Sequence, residues 1–147
     1  MKKLRYRLVS LVIILAFYSC NTGPRPIDYG TDKCQYCSMT IVDLQRAAQI
    51  VSSKGKIYSF DAVECMIHYS LEKDMKGNSY FCNSFDQPGK LMDVNSGTFL
   101  IAKSLPSPMG AFLTPFENAA EADKLSEIHP GDIFNWVSLR EHFKSGM

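Results

Sequence analysis

The sequence lacks a hydrophobic run long enough to cross a membrane comfortably. Its N-terminal apolar stretch, LVSLVIILAFY, covers only residues 8–18, whereas a transmembrane helix needs about 20. Four basic residues precede this stretch, and Ser19 and Cys20 follow it. A basic start, a short apolar core and a small residue before a break are typical of a secretory signal. The sequence therefore predicts export of the chain.

Cys20 refines this prediction. A cysteine behind a small residue at the end of the apolar run resembles the lipobox of bacterial lipoproteins, although Tyr18 is bulky for its place. We predict a lipoprotein signal peptide over residues 1–19, a lipidated, Pro- and Gly-rich tether over 20–33, and one domain over 34–147. The expected location is extracytoplasmic (periplasmic), with a lipid anchor in the membrane. The alternative is a plain signal peptide with an incidental cysteine.

The exported part of the chain also lacks an excess of basic charge. Residues 1–19 hold four of the 16 basic residues and no acidic one, which leaves 12 basic against 15 acidic groups, a formal balance of −3. Nucleic-acid binding thus loses its main electrostatic argument. Signatures of catalysis are missing as well: no phosphate-binding Gly-rich loop, catalytic triad or supported carboxylate pair can be placed. We predict a protein that is not an enzyme and binds no nucleic acid.

Repeats and interdomain linkers are absent, and hydrophobic periodicity predicts a single α+β domain. Asp61 and Glu64 read as the N-cap and the capping-box partner of the first helix. The predicted strands cover residues 38–43, 47–53, 57–60, 79–85 and the second half of 94–104, and the predicted helices cover 61–75, 117–128 and the end of 132–143. This order indicates ββαβ-like units on an antiparallel sheet with two helices, plus a short C-terminal helix.

Four cysteines follow Cys20, and several arrangements of them remain open. They are Cys34, Cys37, Cys65 and Cys82. Outside the cytoplasm they could form two disulfides in three pairings, or a four-cysteine zinc site that lacks a second close pair. Cys65 and Cys82 are expected to be buried thiols. A thioredoxin-like role for C-x-x-C is disfavoured, because a strand rather than a helix is predicted to follow it.

The segment KCQYCSMTI also places a methionine two residues after Cys37. On the predicted strand, Cys37 and Met39 would share one face. A thiolate with a thioether is a soft donor pair that favours Cu(I), and methionine does not belong to the usual zinc ligands. The alternative is that Met39 only packs in the core.

Several ordered motifs resemble the NosL family of copper-binding accessory lipoproteins of nitrous oxide reductase. They are YCSMTIVD, RAAQIV and YSFDAVECMIHY between residues 36 and 69, SPMGAFL over 107–113, and the later FNW. The resemblance covers about residues 34–143. It implies Cu(I) binding through Cys37, Met39 and Met109, since the family uses a Y-C-G-M segment and a methionine in an M-G loop.

Two departures from the family pattern matter. Ser38 stands where the family has glycine, so a positive φ there would be strained. Cys34 is either a fourth ligand or the disulfide partner of Cys37. The resemblance implies a copper chaperone that supplies apo nitrous oxide reductase or another copper enzyme. The alternative is a disulfide- or zinc-stabilised extracytoplasmic binding lipoprotein.

Overall fold

The structure, a computed structural model, describes residues 23–146. The strands of this part of the chain are β1 Ala48–Val51, β2 Ile57–Phe60, β3 Ser79–Cys82, β4 Met92–Asp93, β5 Thr98–Ile101, β6 Leu113–Phe116 and β7 Asp132–Phe134. The helices are α1 Val63–Glu72, α2 Ala119–Ile128 and α3 Trp136–Ser145, with one 3₁₀ turn at Val94–Ser96. The predicted signal peptide and the predicted lipidation site Cys20 lie outside the described residues.

The described strands form two antiparallel sheets, with the same ββαβ unit in each. The first unit is β1-β2-α1-β3, and its sheet has the order β2-β1-β3-β4. The second unit is β5-β6-α2-β7, and its sheet has the order β6-β5-β7. In both units the first strand is central and its hairpin partner lies on one side. The predicted α+β class, the ββαβ units and the C-terminal helix are therefore confirmed, although the strands divide between two sheets.

The main core lies between the first sheet, α1 and α3. All four residues of β1 are buried, because β1 is central and has a strand on each side. Helix α1 buries most of its first two turns, including Val63, Met66 and Ile67. Burying such apolar side chains contributes roughly 1.5–3 kcal/mol each. Helix α1 is therefore firmly packed in the core, and side chains from two loops lie against it.

Three local predictions are wrong. Residues 38–43 form no strand; Thr40 makes only an isolated bridge with Lys33. Asp61 and Glu64 do not cap α1, since Ala62 is the N-cap and has no side-chain capping bond. The predicted strands also omit β6, an edge strand that tolerates Pro115 because an edge needs fewer backbone donors.

Part of the segment predicted as a tether packs on the domain. Ile27 is buried in the core, and the backbone N–H of Arg25 donates to Gln49 of β1. The Arg25 guanidinium also pairs with Asp32 at 2.8 Å. Ordered packing thus begins before residue 34. No helix among residues 23–146 has the length and apolar character to span a membrane.

Gly131 lies very close to the backbone at the end of β5 in the second sheet. A Cβ at this position would lie 2.2 Å from the carbonyl oxygen of Ile101 and 2.9 Å from Cα of Ala102. These are backbone atoms that cannot rotate away. We therefore expect Gly131→Ala to lower the free energy of unfolding by about 3 kcal/mol, the upper end of typical overpacking costs, as measured by urea denaturation.

Gly146→Ala is the matched control, because its nearest neighbour would lie 3.7 Å away. We expect this variant to unfold within about 0.5 kcal/mol of the parent, as surface substitutions usually do. Equal stability of Gly131→Ala and Gly146→Ala would contradict the close backbone approach.

Candidate metal centre

A short loop between Lys33 and Thr40 carries the first two cysteines. The two ends form an antiparallel bridge, and inside it the N–H of Cys34 donates to the carbonyl of Met39 at 2.8 Å. The N–H of Ser38 donates back to the carbonyl of Cys34 at 3.0 Å. This double closure turns the chain within four residues. It brings Cys34 and Cys37 to the same end of the loop.

Three contacts fix this loop against the first ββαβ unit. The N–H of Gln35 donates to the carbonyl of Ser59 in β2 at 2.9 Å. The ring of Tyr36 stacks on His68 of α1 with centroids 5.7 Å apart, and its hydroxyl donates to Glu72. The loop therefore runs along the helix face that carries His68 and Glu72. Cys65 belongs to that face, since it precedes these residues by three and seven positions.

The Sγ atoms of Cys34, Cys37 and Cys65 all lie within 4.8 Å of one another. We call this group the three-thiol cluster. Cys34 and Cys65 are buried and Cys37 is half-buried, so the cluster opens to the surface on the Cys37 side. All cysteines of the described region are free thiols. Cys82 faces the core from β3 and lies outside the cluster, so a four-cysteine zinc site does not form.

The environment of the cluster stabilises one thiolate, on Cys34. The hydrogen bond from the Cys65 thiol lowers the pKa of Cys34 from its ordinary 9.0 to about 5, although burial opposes the shift. Backbone N–H groups of Cys37, Asp61 and Tyr36 donate to the same sulfur. The same thiol–thiolate bond raises the pKa of Cys65, and burial raises the pKa of Cys37. The reduced protein at neutral pH thus carries one thiolate and two thiols here.

The two candidate methionines are exposed. Met39, at the end of the loop, is 51% exposed, and Met109 is 39% exposed. Met109 lies in a turn over residues 107–110 that is closed by the bond from Gly110 N–H to the Ser107 carbonyl. Neither methionine is core filler, because a packed thioether would be shielded from water. Their exposure leaves both sulfurs accessible to a metal ion or to another protein.

Ser38 adopts a left-handed backbone conformation, with φ of +64°. Glycine adopts this conformation without steric cost, whereas another residue loses about 1–2 kcal/mol. The strain lies between Cys37 and Met39, where the chain must reverse direction to close the loop. The serine at this position therefore has the positive φ that is unfavourable for a residue with a Cβ.

The structure brings together Cys34 and Cys37 of the predicted ligands and adds Cys65, which was expected from the sequence only to be buried. Helical periodicity cannot identify such a residue, because a cysteine beneath a packed loop and one in the core have the same apolar surroundings. Asp61 and Glu64 were predicted as helix caps, and the contacts that they make in the structure were not predicted. Both are buried, Asp61 donates its N–H to Cys34, and Glu64 accepts from Ser107.

The fold and the site together define a class: a small α+β domain with a three-thiol cluster that can hold a soft metal ion. A family model described as NosL matches residues 26–143. The chain belongs to the NosL family. The crystal structure of the copper chaperone NosL from Shewanella denitrificans matches it with a TM-score of 0.69 and 15% identity, over 80% of this chain and 95% of that chain. Comparison with curated proteins gives no match.

The strain at Ser38 can be measured with two variants. Ser38→Ala removes the hydroxyl and keeps the Cβ, whereas Ser38→Gly removes both. We expect the glycine variant to be more stable than the alanine variant by about 1 kcal/mol, because relief of about 1–2 kcal/mol of left-handed strain exceeds the 0.5–1 kcal/mol entropic cost of glycine. Urea denaturation of the reduced protein measures the difference. Equal stabilities would argue against a left-handed Ser38.

The thiolate on Cys34 predicts a pH dependence. Its pKa is lowered in the folded chain, so the unfolded chain holds this proton up to its ordinary pKa of 9.0. The contribution of this thiolate to the free energy of unfolding is therefore fully present above pH 9, and it is lost as the pH falls toward about 5. As the pH is lowered, we expect the ultraviolet absorbance of the thiolate in the reduced protein to decrease in a step near pH 5. Cys34→Ser should lack this step, and Cys82→Ser should retain it.

Proposed function

We propose that this protein is an extracytoplasmic lipoprotein, lipidated at Cys20, that binds one Cu(I) ion as cargo. It acts as a copper chaperone for maturation of the copper centre of nitrous oxide reductase and catalyses no reaction. The observation that carries the proposal is the three-thiol cluster, three cysteine sulfurs within 4.8 Å in a chain of the NosL family. The matched protein from Shewanella denitrificans is a copper chaperone, which supports the same role for this chain.

The donor chemistry of the cluster supports Cu(I) as the cargo. Thiolate and thioether sulfurs are soft ligands that select Cu(I). Cys37, Cys34 and Cys65 supply thiolates, and Met39 and Met109 supply thioethers. Cys34 enters binding already ionised above about pH 5. Cys37 and Cys65 are thiols in the reduced cluster, and each must lose its proton to bind as a thiolate, so affinity rises with pH.

The same arrangement suits release of the ion to a client. Cys34 and Cys65 are buried, whereas Met39 and Met109 are exposed, so in the proposed site the thioethers are the ligands that a client reaches first. An incoming ligand of the client can displace the thioethers first and the thiolates afterwards, one bond at a time. The client is apo nitrous oxide reductase or another copper enzyme, since the fold itself does not specify the partner.

An anaerobic Cu(I) competition titration against a chromophoric chelator tests the proposal. We expect the reduced protein to bind one Cu(I). Removing a residue that only supports a metal ligand typically lowers affinity about 10- to 100-fold. Cys37→Ala removes a ligand itself and should lower Cu(I) affinity by more than this. Met39→Ala and Met109→Ala should each cost less, because neutral thioethers contribute less than an anionic thiolate. Cys65→Ser should also weaken binding.

Cys82→Ser is the matched control, because this buried cysteine lies outside the cluster. Its affinity should equal that of the parent. A parallel Zn²⁺ titration separates the alternatives, since the methionine variants should change Cu(I) affinity and leave Zn²⁺ affinity unaltered. A reduced parent that binds no Cu(I) would disprove the proposal and favour a disulfide- or zinc-stabilised binding lipoprotein, which a free-thiol count would then distinguish.

A further inference from the structure

Glu64 is a buried acid whose position calls for an explanation. It lies in the first turn of α1, directly before Cys65, and is only 1% exposed. Its Oε2 has no hydrogen-bond partner within the described part of the chain, and burial raises its pKa. Burying such a group is costly unless hydrogen bonds compensate it. Helix capping does not account for it, because α1 has no side-chain cap.

The partner of Glu64 is the loop that carries Met109. The hydroxyl of Ser107 donates to Glu64 Oε1 in a short hydrogen bond. Ser107 is the first residue of the turn over residues 107–110, and Met109 is the third. The ends of a β-turn lie less than about 7 Å apart. The bond therefore fixes the backbone of Met109 next to the first turn of α1, where Cys65 also lies.

The same loop also extends toward the second turn of α1. Ala111, two residues beyond Met109, lines a small cavity with His68, one helical turn after Glu64. His68 in turn stacks on Tyr36 of the cysteine loop. The cysteine loop and the loop that carries Met109 thus both lie beside the first two turns of α1. Met109 itself is 39% exposed, so burial of its side chain does not hold it there.

We propose that Glu64 and Ser107 are positioning residues that hold the Met109 thioether at the three-thiol cluster. This inference rests on the proposed copper-binding function. Ser107 is the only residue of the turn with a side-chain hydrogen bond among residues 23–146. Without it, the turn keeps its internal bond and loses its hydrogen bond to α1. The thioether would then have to be ordered again whenever copper binds.

A double-mutant cycle with Ser107→Ala and Met109→Ala tests the inference, with Cu(I) affinity measured on the reduced protein. Residues that orient a metal ligand typically contribute about 10- to 100-fold in affinity. We expect Ser107→Ala to weaken binding about tenfold, and no more than Met109→Ala does. In the Met109→Ala background, Ser107→Ala should cause no further loss. X-ray absorption at the copper edge should show the same decrease in sulfur coordination in both single variants.

Three further variants sharpen the test. Ser104→Ala is the matched control, because its hydroxyl bonds His129 from the same loop, at 2.9 Å, and not α1. It should bind like the parent. Ser107→Thr and Glu64→Gln keep a donor and an acceptor respectively, and should retain most of the affinity. Loss of affinity in Ser104→Ala equal to that in Ser107→Ala would overturn the inference, since general loosening of the loop would explain both.

The remaining outcomes separate this inference from the proposed function. Tight Cu(I) binding by the parent beside an unaffected Ser107→Ala would overturn the positioning role alone. Equal losses from Ser107→Ala with and without Met109 would also overturn it, because the hydrogen bond would then act on something other than the thioether. A parent that binds no Cu(I) would overturn the proposed function and this inference together.

Discussion

The hydrogen bond from Cys34 N–H to the Met39 carbonyl, at 2.8 Å, closes the loop on which the candidate metal centre depends. Closure places Cys34 and Cys37 side by side and requires a left-handed residue at Ser38. The bond from Gln35 to Ser59 then sets the loop against β2. Because β2 leads directly into α1, the same contact brings Cys34 to Cys65. Loop closure and this contact together account for the three sulfurs lying within 4.8 Å of one another.

The site combines burial with exposure in a way that suits a carrier. Cys34 and Cys65 are removed from water, and their hydrogen bond stabilises one thiolate. Met39 and Met109 remain accessible at the surface. A wholly buried soft site would hold copper but release it slowly, and a wholly exposed one would bind weakly. Helix α1 contacts both the cysteine loop and the loop that carries Met109. Both loops are therefore attached to the packed core.

Much of the fold could be predicted from the sequence, because its signals are local. Alternation marks β1 and β2, helical period marks α1 and α2, and both ββαβ units follow from their order. The failures have physical causes. Residues 38–43 have strand-like composition, but closure of the cysteine loop takes precedence over their propensity. Asp61 and Glu64 have capping identities, yet their side chains are buried. Strand β6 forms despite Pro115 because it lies at a sheet edge.

The candidate site was likewise only partly predictable from the sequence. From the sequence alone, Cys37 and Met39 could be recognised as a soft donor pair, since donor chemistry depends on residue type and their spacing is local, whereas Met109 was a candidate only through the family resemblance. Only the tertiary structure decided that Cys65 lies beside Cys34 and Cys37, that Cys82 does not, and that Ser107 binds Glu64. These contacts join residues far apart in the chain. Their proximity depends on how two loops pack against one helix, which no local pattern in the sequence records.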